Sequence, residues 1–315
     1  MPTWTALPAE LKGTTVIIND AHCHFFSEGF FSALAKERFG GSTPGPVETI
    51  TNYLKWEAPG DRVTLADRWV AEFDKHGVGR AALIASVPGD EDSVAAAVAK
   101  HPERFIGLFM LNPKQADAGD RCVRALTELG LHGICLFPAM HRYSIDSQEA
   151  DRVFKLAAKH GAKSVFVHTG VLSVGIRKKL GLPSYFDIRL GDPLALVPIA
   201  SAYPNLTFVI PHFAAGFMRE GFMAADLCSN IIFDTSSSNG WIKYDPGLTL
   251  TDVFRQALSV VGPSRMMFGT DSSFFPRGWQ QSIFEQQRAV LQELHVEDET
   301  LHEIFAGTFE RIYGS

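Results

Sequence analysis

The stretch TTVIINDAHCHFF, residues 14–26, carries an apolar run into Asp20 and then into two histidines set two apart, His22 and His24. Alternate side chains of a strand share a face, so the two imidazoles point the same way and Cys23 the other. Two same-face imidazoles at the end of a buried strand make half of a chelating pocket. What supplies the other half depends on how many such strands the chain holds.

The first strand is expected over TVIIND (15–20), ending in the two histidines. Seven further apolar runs read as strands: RAALIASV (80–87), RFIGLFML (104–111), HGICLF (132–137), KSVFVH (163–168), LTFVIPH (206–212), NIIFDTS (230–236) and SRMMFGTD (264–271). They are nearly continuous rather than alternating, as strands covered on both faces are. Helical-period segments separate them. SQEADRVFKLAAKHG sets Ala150, Val153, Phe154 and Ala157 on one stripe, with Ser147 as N-cap and Gly161 closing the helix. TDVFRQALSVVG repeats the pattern with Val253, Phe254, Ala257 and Leu258 before Gly262.

Eight strand–helix alternations predict an α/β chain of the (β/α)8 TIM-barrel type, with residues 1–315 as one domain. No GxGxxG follows a strand, which argues against an open dinucleotide-binding sheet. The connections over 25–65 and 169–205, after strands one and five, exceed ordinary βα loops and are expected to cover the barrel mouth.

Hydrophobic residues make up 46% of the 315, enough for a large core, and the net charge is −6. There is no basic stripe, so nucleic acid and anionic membrane surfaces are poor partners and a small-molecule substrate is expected. No run reaches the ~18 uncharged apolar residues of a membrane span, and MPTWTALPAELKGTT lacks a basic region followed by an apolar one. Cys23, Cys122, Cys135 and Cys228 are far apart and read as reduced, buried thiols; the cytoplasm is the expected location.

Barrel enzymes place their chemistry at the C-terminal ends of the strands. Strand one ends in His22 and His24, strand five in His168, strand six in His212 and strand eight in Asp271. Four imidazoles and a carboxylate form the nitrogen/oxygen set that zinc prefers. His76, His101 and His160 fall at helix ends, and His295 and His302 in polar C-terminal segments, where capping or solvation explains them.

DAHCHFF, FVHTG, VIPHFAAG and MFGTDSSFF, in this order, resemble the amidohydrolase superfamily, in particular its amidohydrolase-2 branch. That branch includes aminocarboxymuconate-semialdehyde decarboxylase, resorcylate-type decarboxylases and dicarboxylate lactonases. The similarity runs from about residue 15 to IFAGTFERIYG. It implies that His22, His24, His168 and Asp271 bind one divalent metal, zinc first and manganese or another next, with His212 beside it as an acid/base group. Binuclear relatives carry a modified lysine on strand four; here GICLFP places Cys135 near that position, so one metal is expected. His168 precedes Thr169 and Gly170 instead of the Pro-Trp of the muconate-semialdehyde enzyme, so that enzyme's substrate does not carry over. The resemblance also implies a homodimer.

Two reactions suit this set. In the first, a zinc-dependent hydrolase opens a small carboxylated substrate such as a lactone or amide, with Asp271 taking the water proton and His212 polarising the carbonyl. In the second, a non-oxidative decarboxylase of a small unsaturated or aromatic acid uses His212 or Asp271 to protonate the carbon that loses carbon dioxide. A non-catalytic, metal-bearing barrel is the third possibility. Arg277, in SFFPRGW, either forks onto a substrate carboxylate or pairs at the surface. Ser236, Asn239 and Trp241 in DTSSSNGW either line the pocket or form a turn. Phe25, Phe26, Phe30 and Phe31 are expected to form an apolar wall. Arg189 and Lys178–Lys179 read as a solvated face.

Overall fold

The computed structural model describes residues 9–11, 14–236 and 239–314. Each apolar run becomes a strand because helices cover one of its faces and facing strands fill the other. The strands are β1 (Ile18–Phe25), β2 (Val78–Ala85), β3 (Phe105–Leu111), β4 (Gly133–Leu136), β5 (Ser164–Val167), β6 (Phe208–Ile210), β7 (Ile231–Asp234) and β8 (Met266–Met267). All seven neighbouring pairs are parallel and in sequence order. The ring closes where the chain beyond β8 returns to β1. Asp271 N–H donates to the His22 carbonyl (2.9 Å), His24 N–H to that of Ser272 (2.7 Å), and Cys23 bridges Ser272. This is the expected (β/α)8 barrel.

The strand bounds shift by a few residues throughout, most at the first and last strands. Thr14–Val16 pairs antiparallel with Ala9–Leu11, so the first barrel strand begins at Ile18 and continues past both histidines to Phe25. The last strand is short because its chain leaves β7 to pair with β1. β1 also carries a bulge. Asp20 pairs with Ala81 and Cys23 with Leu83, three residues against two. The extra residue lets Ala21 join the inner cluster while His22 still faces the central cavity.

Inside the barrel, Ala82, Ile84, Ile106, Leu108, Cys135, Phe166, Val209 and Ile232 pack together. Phe309, Ile312 and Tyr313 of the last helix, Thr308–Tyr313, belong to the same cluster, and the Tyr313 hydroxyl bonds to Ser164 Oγ at 2.7 Å. Outside, helices such as Arg62–His76, Gln148–Lys159 and Leu250–Val260 bury Trp69, Phe73, Phe154 and Phe254 against the opposite faces of the strands. The expected caps are present: Ser147 Oγ accepts from Ala150 N–H at 3.3 Å, and Gly161 has φ 72°.

The long connections after β1 and β5 meet. Phe30, Phe31, Leu34, Ile50 and Leu54 from the first share a cluster with Ile176 and Leu180 from the second. Phe26, Phe30 and Ile176 then line the same cavity as His22 and His24. Among the described residues no helix is long and apolar enough to cross a membrane.

Candidate metal centre

Donor atoms of His22, His24 and Asp271 all lie within 4.8 Å of one another. The two Nε2 atoms are 3.4 Å apart, and Asp271 Oδ1 is 3.2 Å from His24 Nε2 and 3.8 Å from His22 Nε2. Donors around a tetrahedral ion with bonds near 2.1 Å stand about 3.4 Å apart, so the spacing fits one divalent cation.

The surroundings fix which ring nitrogen is free. His22 Nδ1–H donates to Asp234 Oδ2 at 2.5 Å. His24 Nδ1–H donates to Ser86 Oγ at 2.8 Å, whose own hydroxyl donates to the Ile84 carbonyl at 3.0 Å. Both Nε2 atoms therefore point at Asp271, and this outer ring of acceptors orients imidazoles for a metal. Behind them Asp20, fully buried, accepts from Thr270 Oγ1 (2.5 Å), Thr270 N–H (3.1 Å), His22 N–H (2.9 Å) and Trp279 Nε1–H (2.8 Å). It clamps β1 to the segment that carries Asp271. Gly269 permits the closeness: a Cβ there would sit 2.9 Å from Asp234 Oδ1 and 3.0 Å from His22 Cβ.

The electrostatics follow from burial set against paired charge. Burial pushes the His22 imidazolium down, but the Asp234 charge and hydrogen bond, with Asp271 and Asp20, raise it to about 9. Burial likewise opposes ionisation of Asp271, yet the hydrogen bond and charge of His24, with His22 and His212, hold it far below the usual carboxylate range. Burial lowers His24, His168 and His212. Burial raises Asp20 to about 6 against its four hydrogen bonds. An ionised carboxylate beside two imidazole Nε2 atoms suits a cation that displaces their protons.

His212 sits two residues beyond β6, where His212, Phe213, Ala214 and Ala215 all have positive φ (58°, 47°, 63° and 41°). A left-handed conformation costs a non-glycine residue about 1–2 kcal/mol. Backbone strain of this kind gathers at functional sites. The turn holds His212 Nδ1–H on the Ser236 carbonyl (3.0 Å) and leaves Nε2 free to accept a proton. Ser236 Oγ stands between His212 Nδ1 (2.9 Å) and His22 Nδ1 (3.1 Å). His168 directly follows β5; its ring centroid is 5.2 Å from that of His212, and among the described residues its buried Nδ1 has no hydrogen-bond partner. It lines the cavity beside the His22/His24/Asp271 set without belonging to that set.

The cavity in front of these groups measures about 480 Å³. Phe26 stacks on Phe30 (3.8 Å) and Trp56 on Phe274 (3.5 Å) along its wall. Arg277 lines it, with its guanidinium carbon 4.6 Å from the Phe274 ring and Nη2 donating to the Asp271 carbonyl (3.1 Å) and Ser273 Oγ (2.6 Å). Lys179, exposed as the solvated-face reading has it, lines the cavity too, its Nζ 5.2 Å from the Trp56 ring. Phe25 is corrected: it is fully buried on the outer face of β1, because it alternates with His24, and it packs with Trp69 and Phe73. Phe31 packs beneath the wall, leaving Phe26 and Phe30 to face the cavity. Trp241 lines an adjoining cavity, and the side chain of Asn239 lies outside the described residues.

A family model described as Amidohydrolase (Amidohydro_2) matches residues 20–315. The chain belongs to that family. Solved structures share the amidohydrolase's fold at low identity. The 5-carboxyvanillate decarboxylase from Sphingomonas paucimobilis is 16% identical, with a TM-score of 0.63 over 95% of this chain and 99% of that one. The manganese-bound 5-carboxyvanillate decarboxylase from Novosphingobium aromaticivorans is 16% identical, with a TM-score of 0.61 over 95% and 97%. A probable 2-pyrone-4,6-dicarboxylic acid hydrolase from Acinetobacter baumannii is 13% identical, with a TM-score of 0.60 over 95% and 99%.

The amidohydrolase's second rank of polar groups went unread in the sequence. Asp20, Asp234 and Ser86 each sit at or near a strand end, in NDAH, IIFDTS and IASV. A polar residue closing an apolar run was the available signal. Their partners beyond their own strand segments lie 62 to 259 residues away in sequence, so no local pattern joins them.

Proposed function

We propose that this amidohydrolase is a zinc-dependent hydrolase of a small carboxylated molecule, such as a lactone or an amide. The observation that carries the reading is the convergence of His22, His24 and Asp271 within 4.8 Å at a 480 Å³ cavity that His168 and His212 also line. His22, His24 and Asp271 would hold a divalent ion, with His168 beside them as the expected further ligand, and the ion would supply Lewis acidity and lower the pKa of water to roughly 7. Asp271, ionised, accepts the proton of the attacking water. His212 Nε2, free because Nδ1 is committed to Ser236, holds or returns a proton at the leaving atom. Arg277 binds a substrate carboxylate at the cavity mouth, and the Phe26/Phe30 and Trp56/Phe274 stacks exclude water and favour a flat acyl group.

The flat aromatic wall also favours a second reading, decarboxylation of an unsaturated or aromatic acid, for which the same groups would deliver a proton to carbon. A pH-stat assay over lactones, amides and esters, run beside carbon dioxide detection over aromatic acids, decides between them. Acid release without carbon dioxide supports hydrolysis; carbon dioxide with no bond hydrolysis reverses the assignment.

A further inference from the structure

A second cavity of about 270 Å³ adjoins the first. The two share His168, Ser173, His212 and Asp271. His22, His24, Trp56 and Arg277 line the first alone, whereas Val171, Trp241, Lys243 and Tyr244 line the second alone. The shared imidazoles and carboxylate are thus a waist between two lobes. Ligand pockets run from roughly 300 to 1,000 Å³. The first lobe falls inside that range and the second just below it, so each can hold a group of several non-hydrogen atoms.

We infer that the substrate is two-armed, with its acyl arm in the larger lobe and its leaving arm, bearing a carboxylate or similar anion, in the smaller lobe against Lys243. This rests on the hydrolase reading above and extends it. Lys243 Nζ lies 5.1 Å from the Tyr244 ring, and among the described residues no carboxylate pairs with it. A cation on the wall of a pocket, supported by a ring face and unneutralised, attracts an anionic ligand. The second lobe has no use in releasing carbon dioxide, but a bond between two sizeable parts needs one.

The chemistry balances across the waist. One water is consumed; its oxygen and one proton remain on the acyl carbon as the acid. The bond from that carbon to the leaving atom breaks, and the water's other proton ends on the leaving atom. Asp271 and His212 line both lobes, so they can take that proton on one side and release it on the other.

The test uses zinc-loaded enzyme and two esters of terephthalic acid, one with glycolate and one with methanol as the leaving arm. The native enzyme is expected to favour the glycolate ester at least tenfold in kcat/KM. Lys243→Ala should bring that ratio close to one, and Lys243→Arg should restore most of it. A ratio unchanged by Lys243→Ala, or a native ratio near one, overturns the inference while leaving hydrolysis standing. Calorimetry reads the same point without turnover: terephthalate and glycolate should bind together to the native enzyme, and Lys243→Ala should weaken glycolate alone by tenfold or more. If the two acids exclude one another, the second lobe is no leaving-arm site. If neither ester is cleaved but both acids bind together, the hydrolase reading fails and the two-lobed site stands.

Discussion

At the residue scale, the function of each imidazole is set by what its far nitrogen touches. Nδ1 is tied to Asp234 in His22 and to Ser86 in half-buried His24, which turns Nε2 towards Asp271, whereas His212 has its Nδ1 on the Ser236 carbonyl and stands outside that set. His24→Ala should therefore abolish stoichiometric metal binding by elemental analysis. His212→Ala should keep its metal and lose at least 100-fold in kcat, as loss of an acid/base group does; full activity in that variant would remove His212 from the mechanism. Asp234→Asn leaves the shape and removes the charge, so metal affinity by chelator competition should fall about 10- to 100-fold. The pH dependence has a definite sign. His22, raised to about 9 without metal, carries a proton that the ion must displace. Affinity should rise with pH until about 9 and then level off. Asp234→Asn, which lowers the His22 pKa, should move that plateau to lower pH; an unmoved plateau would mean that another group releases the proton.

At the element scale, turns aim the side chains that strands cannot. The bulge in β1 and the left-handed run from His212 to Ala215 both depart from regular geometry, and each brings a histidine to the cavity. Gly170, with φ 75°, packs so tightly on that turn that a Cβ would land on the Ala214 carbonyl. Gly130 has a similar φ of 64° but open space around it. Gly130→Ala should thus cost only the strain of the conformation, about 1 kcal/mol. Gly170→Ala should cost several times that in urea denaturation, with turnover lost as the His212 turn shifts. Equal costs at the two glycines would show that the turn yields easily and does not hold His212 rigidly.

At the scale of the whole molecule, the barrel joins a polar cavity at one end to a closed core within. Tyr313 packs with Phe309 in the inner cluster and bonds to Ser164. Tyr313→Phe should cost about 1 kcal/mol for the hydrogen bond, and Tyr313→Ala roughly 3–5 kcal/mol for the lost volume as well. A divalent ion on His22, His24 and Asp271 would tie β1 to the segment after β8, where the ring closes. Removing it with a chelator should lower the melting temperature, and zinc at 100 times its Kd should return about 2.7 kcal/mol. A melting temperature indifferent to both would show that closure of the ring owes nothing to the ion.

The sequence by itself determined the barrel, the order of its strands and the set of histidines and aspartate at their ends. Those follow from the local period of apolar residues and from strand alternation, which act over a few residues. Applied one residue further, alternation also excludes Phe25 from the pocket. Only the tertiary structure decided which groups orient the imidazoles, that Lys179 and Lys243 face cavities, and that the site has two lobes. Asp234 reaches His22 across 212 residues, and a second lobe exists only where the loops after β5, β6 and β7 come together. Contacts of that kind are fixed by closing the ring, and nothing in a short window of chain encodes them.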